Sequence, residues 1–453
     1  MRMRFPGVVL SLVAVTLIAG APVSTRAAED ETPQVAASKA DCTFDASAPR
    51  TPREMWKKVT DDINTYDRSR WGAPAVNADA KPPKRRAYVP SPPPTFESKN
   101  FIDDEIFGKM VKAGVRWAQP ATDAEFLRRA YLDLTGQIPE LEVARSFLAD
   151  TDPKKREKLI DRLLTTEGYV DRWTLWFGDL VQNTSLATNT NMTPVMRNNF
   201  YDYMRTAFGE NKPYDQMVRD IISGSGNFGT KGEVNYILRW RQDNGPAQDF
   251  FDNLAADTTE KFLGVPMNCL SCHNGIGHLE QVNLGMSKRT RMEFWKTAAF
   301  FAQLSARPTP GTSDIAVTDV PGGTYRLNTD SGNKTPRTPP SGGSNVVAPA
   351  FMFSGEGPAD GEPLRAAYAR QLTAHPQFAR TAVNRIWKEM FGLGIVEPLD
   401  SFDLLRQDPA TIANGLTLQP SHPELLTKLA NEFVAQHYDL RSLLKTIMMS
   451  NAY

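Results

Sequence analysis

The stretch TDAEFLRRAYLDLTG (122–136) contains the start, the buried face and the end of one helix, and it indicates the fold class of the chain. Thr122 and Glu125 form a capping box, in which each side chain accepts a hydrogen bond from the backbone N–H of the other residue. Apolar side chains then recur every three or four residues, which predicts one buried helix face. These side chains are Phe126, Ala130, Tyr131 and Leu134. Gly136 suits the left-handed position just past a helix end.

The same combination of caps and helical spacing returns along most of the chain. It predicts further helices at 101–112, from Pro139, after Asp152-Pro153, and again beyond residue 362. Period-two alternation, the pattern of a half-buried strand, is at most a candidate at Asn235–Trp240. The sequence therefore predicts a mainly α fold with few or no strands.

The composition is that of an ordinary globular protein. The chain has 453 residues, of which 41% are hydrophobic and 23% are charged. This composition excludes a disordered, collagen-like or polytopic membrane protein. The 52 basic and 52 acidic residues cancel, so we expect no nucleic-acid partner and no polybasic membrane patch.

The N-terminus has the layout of a secretory signal peptide. Arg2 and Arg4 precede an apolar core from Val8 to Ile18, and small residues follow up to Ala27. This layout predicts cleavage near residue 27 and a periplasmic or secreted protein exported by the general secretion route. The alternative is an uncleaved anchor, but the core is shorter than the roughly 20 residues that span a bilayer. We expect no membrane span after cleavage.

Proline- and glycine-rich stretches divide the remaining chain. The predicted parts are a signal peptide (1–27), an N-terminal helix with a Pro-rich linker (28–99), a helical domain (100–306), a Pro/Gly/Ser-rich linker (307–361) and a second helical module (362–453). No internal repeat is evident. We therefore predict two helical modules joined by a Pro/Gly-rich linker.

One motif carries chemistry, the pentapeptide CLSCH at 269–273. It fits the Cys-x-x-Cys-His pattern of covalent haem attachment. On a helical turn, Cys269 and Cys272 lie on the same face, and each thiol can add to one vinyl group of the same porphyrin. His273 then follows as the proximal iron ligand. Export agrees with this reading, because attachment takes place outside the cytoplasm.

Three other readings of the motif remain open. The two cysteines could form a redox dithiol, although the strand-helix context of thioredoxin-like motifs is absent. They could form a simple disulfide. They could also belong to a zinc site with His278, although the second cysteine pair of a zinc ribbon is missing.

The sixth ligand of a haem iron is less well specified by the sequence. A low-spin electron carrier needs a second strong ligand, methionine or histidine. Met286 and His278 are the predicted distal candidates, with Met267 and Met292 as other nearby methionines. An open distal position would favour small-molecule or peroxide chemistry instead.

Several longer stretches resemble a known family. Within 100–306 they are FLRRAYLDLTGQIPE (126–140), KLIDRLLTTEGYVDRW (158–173), KPYDQMVRDII (212–222) and KFLGVPMNCLSCHN (261–274). They resemble the planctomycetal cytochrome-c-like domain of secreted bacterial proteins. Residues 375–402 and 421–453 resemble the companion domain that usually follows it.

This resemblance implies a mostly helical fold, no established activity, and a c-type haem at Cys269, Cys272 and His273. It also implies a partner often encoded nearby that resembles secreted sulfatase-like proteins. Relatives tend to carry a second histidine two residues after the motif, where this chain has Gly275. The companion domain stops at Tyr453, where relatives generally continue, so we expect it to be either incomplete or dependent on a partner.

Three functional hypotheses follow. The first is an exported protein with one haem c that passes electrons to a redox partner protein in a periplasmic redox or degradation system. The second is a haem-free binding or scaffold protein whose Cys-x-x-Cys holds a disulfide or a metal. The third is a haem enzyme with an open distal site. The sequence favours an electron carrier or binding protein over a stand-alone catalyst.

Overall fold

The fold consists of helices joined by short turns, as the sequence predicts. A computed structural model describes residues 97–185, 192–241, 245–332, 334 and 336–453. The predicted signal peptide, and the helix and linker predicted up to residue 96, lie outside the described residues. All described residues belong to one compact unit, Ser47–Tyr453.

Fifteen α-helices are present in the described residues, so the predicted mainly α class is confirmed. The first eight are α1 (Phe101–Lys112), α2 (Asp123–Thr135), α3 (Leu141–Ala149), α4 (Lys155–Leu163), α5 (Glu167–Leu180), α6 (Pro194–Gly209), α7 (Tyr214–Ser223) and α8 (Asn235–Leu238). The others are α9 (Ala247–Leu263), α10 (Leu284–Ser287), α11 (Arg291–Ala298), α12 (Leu364–Ala374), α13 (Pro376–Phe391), α14 (Pro423–Ala435) and α15 (Leu440–Met448). Four 3₁₀ turns lie at 232–234, 268–271, 299–301 and 404–406.

Helix α2 begins and ends where its sequence signals predict. The Thr122 hydroxyl accepts the N–H of Glu125 at 3.3 Å, and the Glu125 carboxylate accepts the N–H of Thr122 at 2.8 Å. Gly136 follows the last turn with φ 68°, and its N–H donates to Leu132. A second capping box, formed by Thr290 and Glu293, begins α11. This second box fixes the position of the helix that packs beside the cysteine motif.

Helices from the two predicted modules share buried contacts. Helix α7 packs on α12, α9 on α13, and α1 on α14. The ring of Tyr214 in α7 lies 5.5 Å from that of Phe378 in α13, and both side chains are fully buried. The guanidinium of Arg365 in α12 is buried and donates to the carbonyls of Ile222 and Gly224. The domain boundaries at 306 and 362 remain predictions from the sequence.

The described strands are few and short. A three-stranded antiparallel sheet has the order β1 (Gly226–Asn227), β3 (Ile315–Asp319), β2 (Leu304–Pro308). A two-stranded sheet pairs β4 (Tyr325–Arg326) with β5 (Val346–Val347). The candidate strand at Asn235–Trp240 is wrong, because this stretch forms the short helix α8. Residues 234–238 are all buried. Their sequence therefore has no exposed positions whose spacing would distinguish a helix from a strand.

The Gly/Pro-rich stretch 307–361 is tied to α9 by a buried charge cluster. Arg337 is 0% exposed, and its Nη2 donates to Asp249 at 2.5 Å and to Asp252 at 2.7 Å. Its Nε donates to the hydroxyl of Tyr325 at 3.1 Å, and that hydroxyl donates to Asp252 at 2.7 Å. The cluster therefore holds Tyr325 and Arg337 against the helix that leads into the cysteine motif.

Among the described residues, no helix combines the length and apolarity that a bilayer crossing requires.

Candidate functional site

The cysteine motif lies on a single tight turn directly after the long helix α9. Gly264 ends that helix in the left-handed conformation, with φ 65°, which a residue without Cβ adopts at no steric cost. A 3₁₀ turn then covers Asn268–Ser271, and the N–H of Cys272 donates to the carbonyl of Cys269 at 3.2 Å. Both cysteine side chains are half-buried. The sequence prediction of two thiols one turn apart is thus realised by a 3₁₀ turn.

His273 continues this turn, and its ring makes a hydrogen bond to the next residue. The backbone N–H of His273 donates to the carbonyl of Cys269 at 3.4 Å. Its Nδ1 lies 2.8 Å from the carbonyl oxygen of Asn274. A carbonyl can only accept, so Nδ1 is the donor in this bond, and Nε2 is the ring nitrogen that the bond leaves available. Metal-binding histidines commonly show this arrangement, because the bond at one nitrogen orients the other toward the metal.

His278 lies beside His273. The two ring centroids are 4.3 Å apart with an angle of 37° between the planes, and His278 is exposed. The turn that brings the rings together is closed by Gly275, whose carbonyl accepts the N–H of His278 at 3.1 Å. Ligands on opposite faces of a metal at about 2.0 Å each place their nitrogens roughly 4 Å apart, and their centroids further. His278 would therefore have to move away from His273 to bind the opposite face of a haem.

Met286 lies in the core behind the loop that follows the motif. It is 1% exposed and belongs to α10, which the Asn283 side chain caps at 3.0 Å. The helix is anchored by Asp403, whose carboxylate accepts the N–H of Gly285 at 2.9 Å. A Cβ at Gly275 would lie 2.0 Å from the carbonyl oxygen of Met286. The distal ligand, Met286 or His278, remains a prediction.

Arg291 stands at the start of α11 and contacts the motif directly. Its Nε donates to the carbonyl of Ser271 at 2.9 Å, and its backbone N–H donates to the Asn274 side chain at 2.8 Å. Burial lowers the pKa of Arg291. Sequence reasoning missed this residue because it belongs to no motif. The capping box at Thr290 was the available signal, since it places Arg291 at the first position of a helix beside the cysteines.

In the described part of the chain, no group of three or more His, Cys, Asp or Glu side chains is arranged to hold a metal ion. The zinc grouping of Cys269, Cys272 and His278 therefore has no preformed counterpart in these residues. A cavity of about 1400 Å³ lies elsewhere, between α1 and the C-terminal end of α13, and none of the predicted site residues lines it.

The residues present fit covalent haem in their chemistry. Two half-buried thiols stand one turn apart, and the adjoining imidazole donates from Nδ1 to the Asn274 carbonyl, which leaves Nε2 available as a donor atom for a metal. These are the donor types of c-type attachment.

Two regions of the chain match known families. Residues 101–306 match the family described as PSCyt2, protein of unknown function (DUF1549), and residues 364–453 match PSD1, protein of unknown function (DUF1553). No curated protein and no solved structure shows a significant match to the chain. The chain thus combines two regions that are similar, one after the other, to two families of unknown function.

Proposed function

We propose that this chain is an exported electron-transfer protein that holds one haem c through Cys269 and Cys272, with His273 as the proximal iron ligand. The observation that carries the proposal is the state of His273. Its Nδ1 proton is committed to the Asn274 carbonyl at 2.8 Å within the same turn that holds both thiols. A bare disulfide would give no reason for such an orientation of the neighbouring imidazole.

The local backbone supports attachment. Each thiol would add across one vinyl group, forming a sulfur–carbon bond while its proton passes to the adjacent carbon. Cys269 and Cys272 are half-buried rather than enclosed, which leaves both thiols partly exposed to an incoming porphyrin. Haem supplies a single-electron redox centre when bound. The chain's part is to hold the thioether sulfurs at a fixed spacing and to orient the His273 ring through the bond from Nδ1 to the Asn274 carbonyl.

The environment of the turn is rigid, which suits an electron carrier. Gly275 donates its N–H to the carbonyl of Arg289 at 2.8 Å, and Asn274 accepts the N–H of Arg291. The two residues after His273 are therefore held to the turn before α11 and to its first residue. Little rearrangement at the ligand during reduction favours fast electron transfer over catalysis at the iron.

Location and partner belong to the same proposal. The apolar segment after Arg4 directs export, and the haem pattern requires a compartment outside the cytoplasm. The proposed redox partner is a second exported protein. The family resemblance suggests a sulfatase-like protein encoded nearby for this role.

The test is expression of the full chain together with a cytochrome c maturation system. A denaturing gel stained for haem peroxidase activity reports covalent haem, and intact-mass measurement reports its number. We expect one haem per chain, lost in the variant that combines Cys269→Ala and Cys272→Ala. The matched control is Cys42→Ala, which removes the third cysteine and should leave the stain unchanged.

Two other outcomes would overturn the proposal. Thiols that remain unmodified, pair with each other or hold zinc in matured material would support the scaffold hypothesis. A haem whose visible spectrum changes on adding carbon monoxide or cyanide would indicate an accessible iron and support the enzyme hypothesis.

A further inference from the structure

The cavity between α1 and α13 lies where the two regions that match the families, 101–306 and 364–453, meet. Met110 of α1 lines it from the first region, and Trp387 and Phe391 of α13 line it from the second. Its volume is about 1400 Å³, whereas protein interiors contain few voids larger than a water molecule. It also exceeds the roughly 300–1,000 Å³ that is typical of pockets for small ligands. A segment of polypeptide is the occupant that matches this size.

The walls of this cavity carry aromatic rings from both regions. The rings of Trp387 and Phe391 are stacked with their centroids 4.2 Å apart, and the ring of Tyr453 stands edge-on to Phe391 at 6.4 Å. On the α1 side, the rings of Phe107 and Trp117 meet edge to face at 5.4 Å. Grooves lined by aromatic rings are common binding sites of proline-rich segments, whose extended helix is preformed and loses little entropy on binding.

The chain enters the described residues at the edge of this cavity. Glu97 is the first described residue, and both Glu97 and Lys99 line the cavity. The nine residues directly before Glu97 are YVPSPPPTF (88–96), of which four are prolines. In the polyproline II conformation, at about 3.1 Å per residue, they would extend about 28 Å. That length is more than enough to cross the cavity from its edge.

We propose that residues 88–96 dock in this cavity and pack their prolines against the rings of Trp387, Phe391 and Tyr453. Because Glu97 attaches the segment at the edge of the cavity, its local concentration there is in the millimolar range that short tethers give. A separate peptide or a second copy of the chain would pay the full entropy of association. The docked segment then bridges the two family regions, and this inference does not depend on the proposed haem.

Disulfide trapping in the full chain tests the docking. The background replaces all three cysteines by alanine, so that only introduced thiols can pair. Pro93→Cys is combined with Leu393→Cys, which lines the cavity, or with Val111→Cys, which is exposed on α1 outside the cavity lining. A docked segment holds position 93 inside the cavity. We therefore expect the pair with Leu393→Cys to cross-link at least about ten-fold faster than the pair with Val111→Cys.

A second measurement keeps the chain's own cysteines. Pro92→Gly combined with Pro93→Gly removes the preformed extended conformation from the segment. Pro82→Gly combined with Pro83→Gly is the matched control, because it makes the same change in the same linker outside residues 88–96. The dye anilinonaphthalene sulfonate reports accessible apolar surface by its fluorescence. We expect several-fold higher dye fluorescence with the first variant than with the control or the wild type.

The outcomes decide between the possible occupants. Equal rates of cross-linking from position 93 to the two partner positions would overturn the proposal, because a tethered but undocked segment samples both. Cross-links between two chains would overturn it in favour of a second copy. If the cysteine-free background does not fold, the dye experiment decides alone. Wild-type chain that binds as much dye as Pro92→Gly/Pro93→Gly would have an open cavity, which overturns the proposal and favours a separate apolar ligand.

None of these measurements requires haem. A chain without covalent haem overturns the proposed function and leaves the docking standing, and a failed cross-link overturns the docking alone.

Discussion

Replacing Arg337 by methionine tests how the Gly/Pro-rich stretch is attached to the helices. Arg337 is fully buried, and its guanidinium contacts the carboxylates of Asp249 and Asp252 at 2.5 and 2.7 Å. Methionine keeps much of the side-chain volume and removes the charge. Two carboxylates with 0–1% exposure then share the interior without that cation.

The size of the effect follows from the burial of the pair. Breaking a buried ion pair by removing one partner costs about 3–5 kcal/mol, because an uncompensated charge stays in the interior. Burial raises the pKa of Asp252 even in the native protein, while Arg337 opposes this shift. In the variant the pKa rises further, so the folded state favours the protonated acid. The loss of stability should therefore be small near the unfolded pKa of about 3.9 and grow as the pH rises toward 7.

Chemical denaturation at pH 4.5 and pH 7 measures this difference. Arg326→Met is the matched control, because Arg326 lies in β4 of the same stretch and is exposed; it should change the free energy of unfolding by less than about 0.5 kcal/mol. Asp252→Asn in the Arg337→Met background should recover part of the loss. Equal stability of Arg337→Met and Arg326→Met would refute the reasoning and favour a solvated linker at 307–361.

Three further predictions concern single sites. Gly275→Ala should destabilise the protein by about 1–3 kcal/mol in thermal denaturation, because the new Cβ would lie 2.0 Å from the carbonyl oxygen of Met286. The control Gly108→Ala, whose Cβ would have open space around it, should be neutral or stabilising. Equal effects of the two substitutions would contradict the close approach of Gly275 to Met286. Thr122→Ala should cost about 1 kcal/mol through loss of the helix cap, measured by urea denaturation, and an unchanged midpoint would argue against the capping box. Burial lowers the pKa of His422 to about 4, so an NMR titration should find its ring neutral down to pH 5. The free energy of unfolding should fall as the pH drops from 6.5 toward 4, because the unfolded chain binds the proton first. An NMR titration midpoint near pH 6.5 would contradict the burial of the ring.

Local rules in the sequence determined where α1 and α2 begin and end. The capping box at Thr122 and the left-handed Gly136 define α2 within a few consecutive residues, so no distant contact is needed to predict it. The motif at Cys269 was equally readable, because its chemistry depends on spacing along the chain. Local rules failed at Asn235–Leu238, because all four side chains are buried. The alternation of buried and exposed residues that distinguishes a helix from a strand is therefore missing.

Contacts between distant parts of the chain decided what surrounds the motif. The proline and glycine content of 307–361 predicts a linker, because such a composition favours irregular backbone. Composition cannot show that Arg337 in this stretch bonds to Asp249 and Asp252, some 85 residues earlier in the chain. Likewise, the meeting of Arg291 with Ser271 and of Met286 with Gly275 depends on how α10 and α11 fold back onto the turn. The sequence by itself thus determined the helices and the thiol–imidazole motif, whose signals are local. Only the tertiary structure decided which charges, carbonyls and core residues stand around that motif, because these come together through packing across the chain.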